Sequence, residues 1–258
     1  MRLPELHGVI RRRLLINFRV DPVVMQRHLP SPFRPKQHNG FAIAGICLIR
    51  LDEIGPRYFP GAFGLKSENA AHRCAVEWRE ADNIRNGVYI SRRDTGSFLN
   101  RIVGGRLFPG EHHGAEFRVV DNGQKVRLHM ASADGDTQVE LEGSATDELP
   151  EFSVFRSIAE ASAFFEAGNL GYSVTRDGTR LDGLLLQTQS WTLAPFKVDN
   201  IQSSYFDNHA RFPKGSIDFD CALVMRNVVH VWRSVPGLHI ATAHQDGRDC
   251  PCAASQSW

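Results

Sequence analysis

Three short segments near the middle of this chain restrict its fold more than anything else in it. AEFRVV, VRLHMAS and TQVELEGSA each alternate apolar and polar residues, and Asp121-Asn122-Gly123 and Asp134-Gly135 fall between them. Asn-Gly and Asp-Gly accept the positive φ that tight hairpins need, so this region is predicted to fold as an antiparallel meander. A meander buries one face of every strand, so the rest of the chain must supply a second layer or close it into a barrel.

Most of the remaining sequence is of the same kind. Residues 9–19 read as a strand, and Asp21-Pro22 then gives an N-cap with proline at the first helical position, predicting a short helix to about Leu29. Asn39-Gly40 is a turn before FAIAGICLIRL, a near-continuous apolar run suited to a strand covered on both faces. Residues 54–65 are rich in Gly, Pro and aromatics and read as a loop at a pocket rim. In SENAAHRCAVEWRE, period two puts Glu68, His72, Cys74, Val76 and Trp78 on one face, expected to look inward, and Arg73, Glu77 and Arg79 on the other. Residues 88–92 form a further strand, and TGSFLNRIVGG predicts a crossing helix closed by Gly104-Gly105. Ser157 and Glu160 make a capping box for a helix that Gly168 ends. LLLQTQSWTL, FKVDNIQSSYF and SIDFDCALVM follow as strands, separated by Pro195 and by Pro213-Lys214-Gly215.

Composition excludes several classes of function. Over 258 residues, 42% are hydrophobic and 23% charged, enough to bury a core, and the net charge of +1 provides no field for nucleic acid or an anionic membrane. Three arginines at 11–13 stand where a signal peptide needs its apolar run, and no window approaches a membrane span. Five scattered cysteines do not make a disulfide framework, which suits a reduced, cytoplasmic protein. One domain over residues 1–240 is expected, followed by a polar tail at 241–258.

Strands with a few helices between them indicate an α+β, mainly β domain, and the pattern leaves open whether it closes. RRRLLINFRVDPVVMQRHLPSPF, FGLKSEN and GGRLFPGEHHG resemble successive segments of the acetoacetate decarboxylase-like superfamily. The phrases GLKSENAAHR, RRDT, GGRLFPG and SSYFD resemble its uncharacterised YqjF-like branch. The resemblance covers roughly the first half of the chain. It implies an acetoacetate decarboxylase-like antiparallel β-barrel with a few short helices packed outside, Arg11 as the pocket arginine, Glu68 as an active-site acid, and the family's other pocket glutamate near Cys47. It also implies the loss of the Schiff-base amine: where decarboxylases carry two adjacent lysines, this chain has Gly110 and Glu111 after Phe108-Pro109, and neither residue can form an iminium.

The candidate site follows from these positions. Glu68 and His72 share an inward face and are the candidate proton-transfer pair. Arg11 and Arg106, among the arginines at 11, 92, 93, 101 and 106, are the candidate anion clamps, with Glu111 and one of His112 and His113 nearby. Adjacent histidines on a strand point to opposite faces, so only one can join the site, and neither a metal nor a cofactor is expected. The expected partner is a small anionic or carbonyl-containing molecule, with homo-oligomers an open possibility. Two functions compete: a lyase- or hydratase-like enzyme without Schiff-base chemistry, and a non-catalytic binding barrel. A Schiff base on Lys66, two residues from Glu68, is a third.

Overall fold

Turn chemistry and capping set the local frame. Asn39 and Gly40 both take positive φ (47° and 84°), the geometry of a type I′ turn, and return the chain into its longest apolar run. Asp21 Oδ1 accepts from the amides of Val23 and Val24 at 2.7 and 3.1 Å, and Ser157 Oγ accepts from Glu160 N at 3.1 Å. The computed structural model describes residues 5–56, 65–97 and 110–240. In chain order its elements are β1 (Leu6–Val20), α1 (Pro22–Gln26), β2 (Arg34–Pro35), β3 (Gln37–His38), β4 (Phe41–Pro56), β5 (Leu65–Glu80), β6 (Asn83–Thr95), β7 (His112–Asp121), β8 (Lys125–Ser132), β9 (Gln138–Ala145), α2 (Ile158–Glu166), β10 (Leu170–Val174), β11 (Arg180–Thr188), β12 (Ala194–Ser203) and β13 (Ile217–His239).

The strand pairings close on themselves twice. β1, β4, β5, β6, β10, β11 and β13 form one ring. From β6 the sheet also continues through β7, β8, β9 and β12 back to β13, forming a second ring. The two rings share the wall β13-β1-β4-β5-β6. Long β13 makes this possible, because residues 217–232 pair with β1 while residues 230–239 pair with β11.

A shared wall has no solvent face, which explains the apolar run in β4. Ala42, Ala44, Ile46 and Leu48 enter one core with Leu14, Ile16, Leu128 and Met130. Ile43, Cys47 and Leu51 enter the other with Leu15, Leu184 and Met225, and α2 buries Ala161, Phe164 and Phe165 there. At ~25 cal/mol per Å2 of apolar area, a strand buried on both faces contributes about twice what a surface strand does.

The structure departs from the sequence expectations in a few places. The barrel is antiparallel except where β6 meets β7 and β10, which run parallel to it. Neither contact is a hairpin, and parallel neighbours need long connections; residues 96–111 separate β6 from β7. Pro195 lies inside β12 rather than ending a strand, but it is the second residue of that strand, where proline is tolerated. α1 stops at Gln26, and His28 N and Leu29 N bond three residues back, to Met25 and Gln26 carbonyls. Glu160 Oε2 receives the amide of Arg156, one residue before the cap. The short β10 carries too little pattern to be read from sequence. The expected helix at 98–103, most of the expected loop at 54–65 and the tail 241–258 lie outside the described residues. No described helix is long and apolar enough to cross a membrane.

Candidate functional site

Alternation along β1 sends its neighbouring arginines to opposite sides of the shared wall. Arg12 points into the second ring and is 1% exposed. In register, Arg226, Arg12, Arg50 and Glu68 form one row across β13, β1, β4 and β5. Three cations side by side repel one another. Glu68 and Asp121 offset that repulsion: Arg12 donates to Glu68 Oε2 at 2.6 Å and to Asp121 Oδ2 at 3.3 Å, and Arg226 grips Asp121 with two bonds of 2.9 and 3.0 Å. Burial raises the Glu68 carboxyl above its ordinary value, while Arg12 and Arg50 pull it back. Burial works the same way on Asp121, but the hydrogen bonds from Arg226 and Gly123 outweigh it and hold that carboxyl low.

The other face of the wall borders a cavity of about 130 Å3 inside the first ring. Cys47 on β4, Ala71 on β5, Arg93 on β6 and His112 on β7 are successive register partners, and all four line it. A bulge in the β5–β6 pairing, between His72 and Arg73, selects Arg93 rather than Arg92 for this face. Arg13 reaches in from β1 and donates through Nε to Cys47 Sγ at 3.2 Å. Arg73 donates to Asn17 Oδ1 at 2.7 Å, across Gly45, which stands between them in register and has no side chain. Ile49, Ile90, Leu184, Leu186 and Trp232 complete the lining with apolar surface.

Among the described residues, these three cations have no anionic partner. No Asp or Glu forms a salt bridge to Arg13, Arg73 or Arg93 among the described residues, and Arg13 Nη1, Arg73 Nε and Nη1, and Arg93 Nε are buried without a hydrogen bond. The acid that lines the cavity, Asp94, is held by Arg92 at 2.9 to 3.1 Å. Burial pushes the Arg73 and Arg93 guanidiniums down to about 10. Burial, and next to it the Arg93 charge, pushes His112 down to about 3, so its imidazole is neutral at pH 7. Desolvated cations without counterions destabilise a fold by several kcal/mol unless an anion completes them, at ~3–5 kcal/mol for a broken buried pair.

The residues expected at the site are distributed as follows. Arg11 stands where the β1–β4 register shifts, between Ile10 and Arg12, and is bonded to Asp52 at 3.1 Å and Glu53 at 2.7 Å rather than lining the cavity; Arg13, two residues on, lines it. Glu68 and His72 share a face, but that face belongs to the second ring. His72 is wholly buried beneath Tyr205, ring centroids 4.4 Å apart, with its pKa pushed down to about 3 by burial. Glu68 instead borders a groove with Lys66 and Gly96. His112 faces the cavity, whereas His113 Nδ1 lies 2.9 Å from Asp134. Glu111 is exposed, 4.0 Å from Arg176. Arg106 lies outside the described residues. Arg73, expected on the outward face, is 5% exposed, because a wall between two rings is inward on both sides. All five lysines are in described positions, and none lines the cavity. No group of three His, Cys, Asp or Glu among the described residues could hold a metal ion.

The mainly β, ring-closed fold is shared with acetoacetate decarboxylase-like proteins. The chain superposes on an acetoacetate decarboxylase-like enzyme from Sphingomonas wittichii RW1 (TM-score 0.56, 14% identity, covering 92% of each chain). It also superposes on the acetoacetate decarboxylase of Legionella pneumophila subsp. pneumophila str. Philadelphia 1 (TM-score 0.54, 10% identity, 93% of this chain and 88% of that one). The enduracididine biosynthesis enzyme MppR, in its complex with pyruvate, is similar in fold (TM-score 0.53, 11% identity, 93% and 92%). Residues 9–222 match DUF2071, described as an uncharacterized conserved protein (COG2071), and the chain belongs to that family. No curated protein matches it.

Proposed function

We propose that this protein takes a small oxo acid into the arginine-lined cavity and that His112 moves a proton on it. The observation that carries this reading is the set of three guanidiniums, Arg13, Arg73 and Arg93, that line a largely apolar cavity and form no ion pair with an acid among the described residues. A short carboxylate fits the guanidinium fork, and a cavity of about 130 Å3 has room for one. The pyruvate complex of MppR, a protein of the same fold, supports this ligand class. With no lysine lining the cavity, iminium chemistry has no amine there, and His112 is placed for proton transfer. A neutral His112 can accept a proton, and a bound carboxylate beside Arg93 makes it more basic by cancelling a cation.

Calorimetric titration with pyruvate, acetoacetate and other short 2- and 3-oxo acids tests the binding. Saturable binding that Arg93→Met abolishes is expected, and failure of every acid to bind sinks the reading. Exchange of the ligand's α-hydrogens in heavy water tests the chemistry. Enzyme-dependent exchange that His112→Asn removes marks an enzyme of the enolising, lyase or hydratase kind, whereas binding without exchange marks a binding barrel.

A further inference from the structure

We propose that Cys47 is the nucleophile of this cavity and forms a reversible hemithioketal with the carbonyl carbon of the oxo acid that the arginines hold. The proposal rests on the reading above and adds a covalent step to it.

Cys47 differs from the other described cysteines in what surrounds it. Cys74 belongs to the second-ring core, donates to the Ala75 carbonyl at 3.3 Å, and is pushed up to about 12 by burial. Cys221 is fully buried, receives Asn17 Nδ2 at 3.6 Å, and burial and Asp220 raise its thiol. Neither lines the arginine cavity. Cys47 does, and its sulfur is the acceptor of a guanidinium hydrogen bond. Negative charge that develops on this sulfur therefore lies beside a fixed cation, the setting in which thiols act as nucleophiles. Arg93, two strands away in the same register row, and the buried Arg73 supply the separate evidence for an anionic ligand.

The step balances without an added reagent. A carbon–sulfur bond forms, the carbonyl π bond breaks, and its electron pair goes to oxygen, which takes the proton that the thiol gives up. Nothing is oxidised and nothing leaves, so the adduct reverts when ligand is removed.

Alkylation of the full chain with iodoacetate and iodoacetamide, mapped by peptide mass spectrometry, tests the sulfur; in both reactions a carbon–sulfur bond forms as iodide departs. Cys47 is expected to react about tenfold faster with iodoacetate than with iodoacetamide, the preference disappearing in Arg13→Gln and pyruvate protecting the residue. Pyruvate labelled with carbon-13 at its carbonyl is expected to show a protein-bound tetrahedral carbon by NMR, absent in Cys47→Ser. Equal or slower reaction with iodoacetate, or a tetrahedral signal unchanged in Cys47→Ser, overturns the proposal. Calorimetry separates the two ideas. Pyruvate binding in a protein that forms no adduct leaves the pocket standing and removes the covalent step, whereas absence of any oxo acid binding removes both.

Discussion

Arg12 donates to Glu68 at 2.6 Å across β4, which runs between their strands, and this ion pair belongs to the wall rather than to the cavity. Breaking it leaves a cation that is 1% exposed with Asp121 as its remaining partner. Glu68→Gln is expected to lower stability in urea by about 2 kcal/mol and Arg12→Met by about 3 kcal/mol, both leaving pyruvate affinity unchanged. Loss of binding in Glu68→Gln at full stability would instead make Glu68 a ligand-binding or proton-transfer group.

Arg93 has the opposite profile. Its guanidinium has no acid among the described residues, so Arg93→Met removes a desolvated charge and is expected to stabilise the ligand-free protein by about 1 kcal/mol while abolishing binding. Thermal melts with and without pyruvate measure both effects. A variant that is destabilised and still binds contradicts the assignment.

Acid is expected to weaken the fold from about pH 6.5 downward, through its buried histidines. His72 is pushed down to about 3 and His230 to about 4, chiefly by burial, while in the unfolded chain both titrate near 6.5. Between those values the unfolded state binds more protons, so stability is complete above about pH 6.5 and falls as pH drops toward 4, by about 1.4 kcal/mol per pH unit for each histidine that stays neutral. Urea midpoints measured from pH 7 to 4 should fall more gently in His72→Phe, which keeps the ring against Tyr205. Parallel curves for the two proteins would show that His72 does not set this slope.

Gly45 is where two strands come too close for a side chain. A Cβ there would lie 2.2 Å from the Ile16 carbonyl oxygen, and backbone cannot move aside as a side chain can. Gly45→Ala is expected to cost about 3 kcal/mol and, by spreading β1 from β4, to lengthen the Arg73–Asn17 bond across it. An unchanged denaturation midpoint would show that the wall adjusts freely.

Much of the local structure was legible from residues alone. The Asn39-Gly40 turn, the meander from β7 to β9, the Ser157 cap and the two-sided burial of β4 each follow from short-range chemistry. Motif phrases by themselves resemble those of acetoacetate decarboxylase-like proteins. Site residues were harder. Arg11 and Arg13 lie two residues apart, and alternation cannot foresee the register shift between Ile10 and Arg12 that leaves Arg11 with Asp52 and Arg13 over the cavity. Arg73 reads as outward-facing because period two gives β5 a single inward face, whereas the wall buries both.

Sequence by itself determined most of the strands, where they turn and, between bulges, which residues share a face, because these depend on neighbours a few residues apart. Only the tertiary structure decided that β1, β4 and β5 form a wall between two rings, since that depends on β13 pairing with β1, β11 and β12, and on β6 pairing with β5, β7 and β10. That wall puts Glu68 and His72 on one side and Cys47, Arg73 and Arg93 on the other, and one β-bulge fixes which of two adjacent arginines meets the cavity.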